Sequence, residues 1–153
     1  MERVLGPDRD SGEQWDAWSA MWSAVDPRTR LPRPMFDGAT GSIDRGVVGN
    51  EWSRFDITRL LRNDPDRYAP LLRQRVRLLC GGRDNFYLNR AVERLRDQMA
   101  ALETRRAAAG TPLPAGPGYI EIMPNETHGT LPASSMLRWQ REMRDYLTAN
   151  KLD

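Results

Sequence analysis

The chain has 153 residues, 39% apolar and 29% charged, a size that fits one domain with a sizeable core and excludes two independent cores. Its net charge is +2, with 22 Arg, a single Lys (Lys151) and 21 acidic residues interleaved along the whole length, so no basic face for nucleic acid emerges. No apolar run approaches the roughly 20 residues of a membrane span. With one Cys and one His, soft ligands are too few for zinc, and neither a metal nor a cofactor is expected.

The opening residues M-E-R-V-L-G-P-D-R-D lack the apolar core of a signal peptide, so nothing exports the chain as written. Residues 11–14, S-G-E-Q, match a capping box. Behind them Trp15, Trp18, Trp22 and Val25 recur at helical spacing until Asp26-Pro27 ends the run. Such a stripe packs against the protein body more often than it stacks on a sugar. From Pro27 to Gly49, four glycines and three prolines predict a long irregular excursion. Asp37, Thr40, Ser42 and Asp44 carry oxygen ligands there, but their spacing does not fit an EF-hand loop. Asp56 is placed to cap a short helix, and Asn63-Asp-Pro-Asp66 reads as a turn before the first strand. The sequence shows no internal repeat and no heptad run.

The stretch V-R-L-L-C-G-G-R-D-N-F-Y-L-N, Val76 to Asn89, is a short apolar run that breaks at Gly-Gly and presents Asp84. The later stretch Y-I-E-I-M-P-N-E-T-H-G, Tyr119 to Gly129, has the same form and presents His128, the only histidine. Apolar runs of about five residues bounded by turn signals read as buried parallel strands. Between them Leu88, Ala91, Val92, Leu95, Met99 and Leu102 form one helical face, which the A-A-A-G-T-P-L-P-A-G-P-G loop from Ala107 ends. Cys80, at the end of its run, is expected to be a buried inert thiol. A final helix carries Met136, Trp139, Met143, Tyr146 and Leu147 on one stripe, long enough to cover a sheet face. A strand–helix–strand crossover leaves its strands parallel. Asp84 and His128 would then meet on the edge where open α/β sheets hold their sites, the carboxylate fixing the tautomer of the imidazole.

The C-G-G-R-D-N-F-Y-L-N segment, the helix after it and the P-N-E-T-H-G loop resemble the C-terminal half of an α/β-hydrolase esterase. The similar branch includes esterase D-like, feruloyl-esterase-like and enterochelin-esterase-like proteins. W-D-A-W-S-A-M-W, L-P-R-P-M-F-D-G-A-T-G-S-I-D and W-S-R-F-D-I resemble the segment such proteins carry between nucleophile and acid. The resemblance implies an incomplete α/β-hydrolase fold, with 1–75 a helical and irregular cap-like segment and 76–153 a strand–helix–strand–helix unit. It implies that Asp84 is the acid and His128 the base of a Ser-Asp-His triad acting on a small-molecule ester. Asn85, Phe86, Tyr87 and Glu126 flank these two and are the candidate substrate contacts.

The G-x-S-x-G nucleophile elbow of that family occurs nowhere in the chain, and Ser42, Ser134 and Ser135 lack its context. By resemblance, Met1 falls after the nucleophile. The expected partner is therefore a missing N-terminal half or a self-associating copy, and the chain alone is expected to be inactive. The competing expectation is a non-catalytic interaction or structural module, with Asp84 a turn cap and His128 a packing residue.

Overall fold

Two parallel strands and the helices on their flanks carry the candidate residues. The computed structural model describes residues 14–150. The capping box expected over 11–14, apart from Gln14, and Lys151 lie outside the described residues. The chain divides into two units, one ending at Asn63 and the other running from Asp64, and each is described by itself.

In the first unit, helix α1 (Gln14–Trp22) sets its tryptophans on one stripe. The rings continue as a ladder. Trp15 meets Trp18 and Phe36 edge-on, Trp18 stacks on Trp22, and Trp22 contacts Trp52 edge-on and Phe55 face-on, with centroids 5.1–6.0 Å apart. Such ring pairs add about 1 kcal/mol each beyond area burial. The indole N–H of Trp52 is satisfied by Ser23 Oγ at 2.7 Å.

The excursion expected to be irregular is built as the same loop twice, a repeat not visible in the sequence. Val25 pairs with Pro32 and Phe36 with Ile43, each in an antiparallel bridge. In the first loop Asp26 Oδ1 accepts from the N–H groups of Arg28 and Thr29; in the second, Asp37 Oδ1 accepts from those of Ala39 and Thr40. Each loop closes with a residue in the left-handed region, Arg30 (φ 62°) and then Gly41 (φ 72°). Only D-x-x-T, at Asp26 and Asp37, is common to both copies. Asp44 ends the second loop by capping helix α2 (Arg45–Asn50), where an irregular stretch was expected to continue. A 3-10 turn (Trp52–Phe55) leads to helix α3 (Ile57–Asn63), and Asp56 caps α3 through the N–H groups of Thr58 and Arg59 as its position predicts.

The second unit opens with a helix where the sequence suggested a turn. Asp64 caps α4 (Pro65–Arg75), and Pro65 sits in its first turn, where no amide donor is needed. Strand β1 (Arg77–Gly81) and strand β2 (Tyr119–Met123) are parallel, in register from Arg77↔Tyr119 to Gly81↔Met123. Among the described residues they form a two-stranded sheet. Helix α5 (Asn89–Ala108) makes the crossover and buries Leu95, Met99 and Leu102, each worth about 2 kcal/mol. Gly110, at φ 73°, ends it. The Gly110 N–H bonds the Ala107 carbonyl, and the Thr111 N–H bonds the Arg106 carbonyl. Cys80 is buried as expected, and burial pushes its thiol pKa up.

Helix α6 (Leu131–Asn150) departs from its expected orientation. The residues it turns to the sheet are polar: Arg138 bonds Glu121 (2.8 Å) and Glu142 (2.9 Å), while Glu142 takes Tyr119 Oη (3.0 Å) and Arg77 (3.2 Å). Ser135, 1% exposed, is the buried residue of the helix, its Oγ donating to the Leu131 carbonyl. Of the stripe expected over a sheet face, Met136, Met143, Tyr146 and Leu147 are exposed, while Trp139 is half-buried with its side chain on Tyr119 of β2. Periodicity says which residues share a face, not where that face points.

Candidate active site

Both loops leave the sheet at the same rung, Gly81↔Met123, and they interlock through backbone. Gly82 N–H donates to the Met123 carbonyl (2.8 Å), and Arg83 N–H to that of Glu126 (2.9 Å). The two glycines make this approach possible. A Cβ on Gly81 would fall on the Glu126 carbonyl, and one on Gly82 would lie 2.9 Å from the Pro124 backbone.

On that seam Asp84 is buried, its side chain 2% exposed. Its Oδ1 accepts from the N–H groups of Phe86 (2.8 Å) and Leu88 (3.4 Å), which closes the turn into α5. Its Oδ2 reaches His128 Nδ1 at 3.0 Å. Burial pushes the Asp84 carboxyl up. The His128 hydrogen bond and the two backbone donors outweigh that and hold it below its ordinary value of 3.8.

His128 occupies the first turn leading into α6, and a reciprocal pair fixes its backbone. Thr127 N–H donates to Thr130 Oγ1 (2.9 Å), and Thr130 N–H to Thr127 Oγ1 (3.2 Å). This is a capping box with Thr in place of Glu or Gln. The T-x-x-T spacing was the sequence signal for it, and it passed unread. The imidazole is half-exposed, 52%. With Nδ1–H donating to Asp84, Nε2 is left as an acceptor, and among the described residues nothing hydrogen-bonds it.

The flanking candidates divide. Phe86 lies edge-on to the His128 ring, centroids 4.8 Å apart, so it touches both members of the pair, one by its ring and one by its N–H. Tyr87, at φ 60°, is 69% exposed and lies beneath the Arg90 guanidinium. Asn85 is exposed, and Glu126 enters through its main chain. Two contributors were missed: the Gly81-Gly82 seam, and Asn89, whose Nδ2 bonds the Gly82 carbonyl at 3.4 Å. In the first unit Asp37 and Asp44 spend an oxygen on local N–H groups, and no acid, His or Cys cluster among the described residues is arranged to hold a metal.

Chemically, this is a half-exposed imidazole whose tautomer is set by a buried carboxylate and whose other nitrogen has no hydrogen-bond partner among the described residues. No family model, curated protein or solved structure matches the chain. Among the described residues no helix is long and apolar enough to cross a membrane.

Proposed function

We propose that this chain supplies the acid and the base of a serine carboxylic-ester hydrolase, Asp84 and His128, with the nucleophile outside these 153 residues. The observation that carries the reading is the 3.0 Å bond that His128 Nδ1–H donates to Asp84 Oδ2, at the carboxyl ends of parallel strands, with Nε2 unpartnered among the described residues. The resemblance to the C-terminal half of an α/β-hydrolase esterase supports the same assignment. Under this reading the two-stranded sheet is part of a larger one, and the partner is the remaining half of the hydrolase.

In the assembled site His128 Nε2 takes the proton of the serine as its oxygen attacks the ester carbonyl. Asp84 holds the ring in the required tautomer and stabilises the imidazolium. The same nitrogen returns the proton to the leaving alcohol. The donors that stabilise the oxyanion come with the nucleophile, and Phe86 stands beside the base.

The test is the intact mass and N-terminal sequence of the native protein, with any chain that copurifies. The expected result is a G-x-S-x-G serine, either upstream on the same polypeptide or on a stoichiometric partner. In that assembly His128→Ala lowers kcat by about 10⁶-fold. A lone native species of 17.5 kDa would overturn the proposal. So would ester turnover by the purified chain that disappears on replacing His128.

The module reading draws on Asp84 Oδ1, which caps its own turn. It predicts that His128→Ala costs stability and no activity. The triad reading predicts the same loss of stability, because Asp84 is left buried without a partner for Oδ2, together with the loss of turnover, so activity in the assembled enzyme separates the two.

A further inference from the structure

Burial does not explain Phe86. The residue is 60% exposed, and among the described residues its ring meets no other ring but His128, centroids 4.8 Å apart and planes at 76°. The main chain beneath it is tied down. The Phe86 N–H donates to Asp84 Oδ1 (2.8 Å), the Leu88 N–H reaches the same oxygen (3.4 Å), and the Tyr87 N–H donates to the Asp84 carbonyl (3.1 Å). Tyr87, in the left-handed region at φ 60°, completes the turn. The imidazole is held less firmly. It is half-exposed and keeps one hydrogen bond among the described residues, from Nδ1 to Asp84 Oδ2. Water competes for a proton in that position. Asp84, Phe86 and His128 therefore close a triangle: one carboxylate binds the backbone of the phenylalanine and the ring of the histidine, and the two rings meet edge-on.

We propose that Phe86 is a positioning residue for His128, its ring holding the imidazole in the rotamer that bonds Asp84. An edge-on ring pair is strong enough to shift a rotamer equilibrium about fivefold. The contact is directional, because the edge of one ring is attracted to the face of the other, and an aliphatic side chain of similar bulk offers neither. Without Phe86 the imidazole gains rotamers that leave Asp84 and turn Nδ1 to water. The Asp84 turn itself does not change, since Phe86 enters it only through its N–H. As a statement about catalysis this rests on the hydrolase reading: a ring that presents Nε2 to a serine must first stay on its carboxylate. The rotamer preference needs no nucleophile.

Nitrogen-edited spectra of the untagged full chain test it in mildly alkaline solution, where the imidazole is neutral. His128 is the only histidine, so its two ring nitrogens report the tautomer ratio without overlap. The expected wild-type ring is protonated on Nδ1. Phe86→Ala and Phe86→Leu should each lower the ratio of Nδ1–H to Nε2–H about fivefold and speed exchange of the Nδ1 proton with water by a similar factor. The amides at positions 86 and 88 should stay as protected as before, and Phe86→Tyr should restore the wild-type ratio. An unchanged ratio in Phe86→Ala overturns the proposal. So does Phe86→Leu that matches the wild type, because bulk alone then suffices. Loss of amide protection at 86 and 88 in Phe86→Ala also overturns it, since the ring would then be a prop for the Asp84 turn. A wild-type ring protonated on Nε2 overturns it together with the Asp84–His128 pair. None of these readouts is ester turnover, so a native chain without a serine partner overturns the hydrolase reading and leaves the rotamer preference standing.

Discussion

The twin loops of the first unit and the Asp84 turn of the second begin alike, with an aspartate whose Oδ1 gathers N–H groups a few residues ahead. Asp26 and Asp37 bind the amides two and three residues on, at the surface. Asp84 binds those two and four residues on, but from within the protein. The N–H groups of Arg28 and then Thr29 lead the lowering of the Asp26 carboxyl, ahead of an opposing burial and of the nearby Arg28 and Arg33 charges. At Asp84 burial is the largest influence and opposes the lowering, and a side chain 44 residues away leads the groups that outweigh it. What separates a turn from a candidate site is therefore the second oxygen and the burial around it.

The comparison breaks hardest at the seam. Gly81→Val drives a branched side chain into the Glu126 backbone and is expected to cost about 3 kcal/mol or more, read as a lower Tm, with the His128 signals displaced in a nitrogen-edited spectrum. Asp84→Asn is expected to cost about 2 kcal/mol at neutral pH in urea unfolding. Because the folded pKa of Asp84 lies below its ordinary 3.8, its contribution is complete above that value and fades as pH falls below it. The two urea curves should therefore converge in acid, and a gap that persists at pH 2 would show that the carboxylate charge is not what is lost.

In the first unit the buried carboxylate is Glu51, which accepts the Ala24 N–H and pairs with Arg33 at the base of the first loop. Glu51→Gln should cost about 1.5 kcal/mol, with faster hydrogen exchange at Ala24 and none at Phe86. The smallest effect has the opposite sign. Arg30 holds the left-handed position that Gly41 fills in the second copy, so Arg30→Gly should stabilise by roughly 0.5 kcal/mol in the same unfolding assay.

The strand–helix–strand frame was legible because its signals are local: two apolar runs ending in Gly or Pro, and a helix period from Leu88 to Leu102. Asp84 and His128 were legible as a pair because parallel strands deliver their loops to one edge. Helix α4 was not, since N-D-P-D is both a turn signature and a cap followed by proline at the first helical position. The twin loops escaped because backbone bonds define them, and only Asp and Thr among their side chains are shared. The stripe of α6 was seen as a stripe, but only Trp139 of it reaches the sheet, and the other four residues are exposed. Its orientation depends on Arg138 and Glu142, whose partners Glu121, Tyr119 and Arg77 are distant in sequence.

The loop between α5 and β2 joins the half of the unit that bears Asp84 to the half that bears His128. Its middle, Thr111 to Ala115, is largely solvent-exposed, while Gly116 and Gly118 are packed against the backbone of α4. A nick at Pro112 would put Asp84 and His128 on separate peptides without touching a strand, a seam glycine or the Thr127–Thr130 pair. Reassembly of the two fragments would then be reported by one imidazole regaining one carboxylate, and the chain would serve as a split sensor of its own folding.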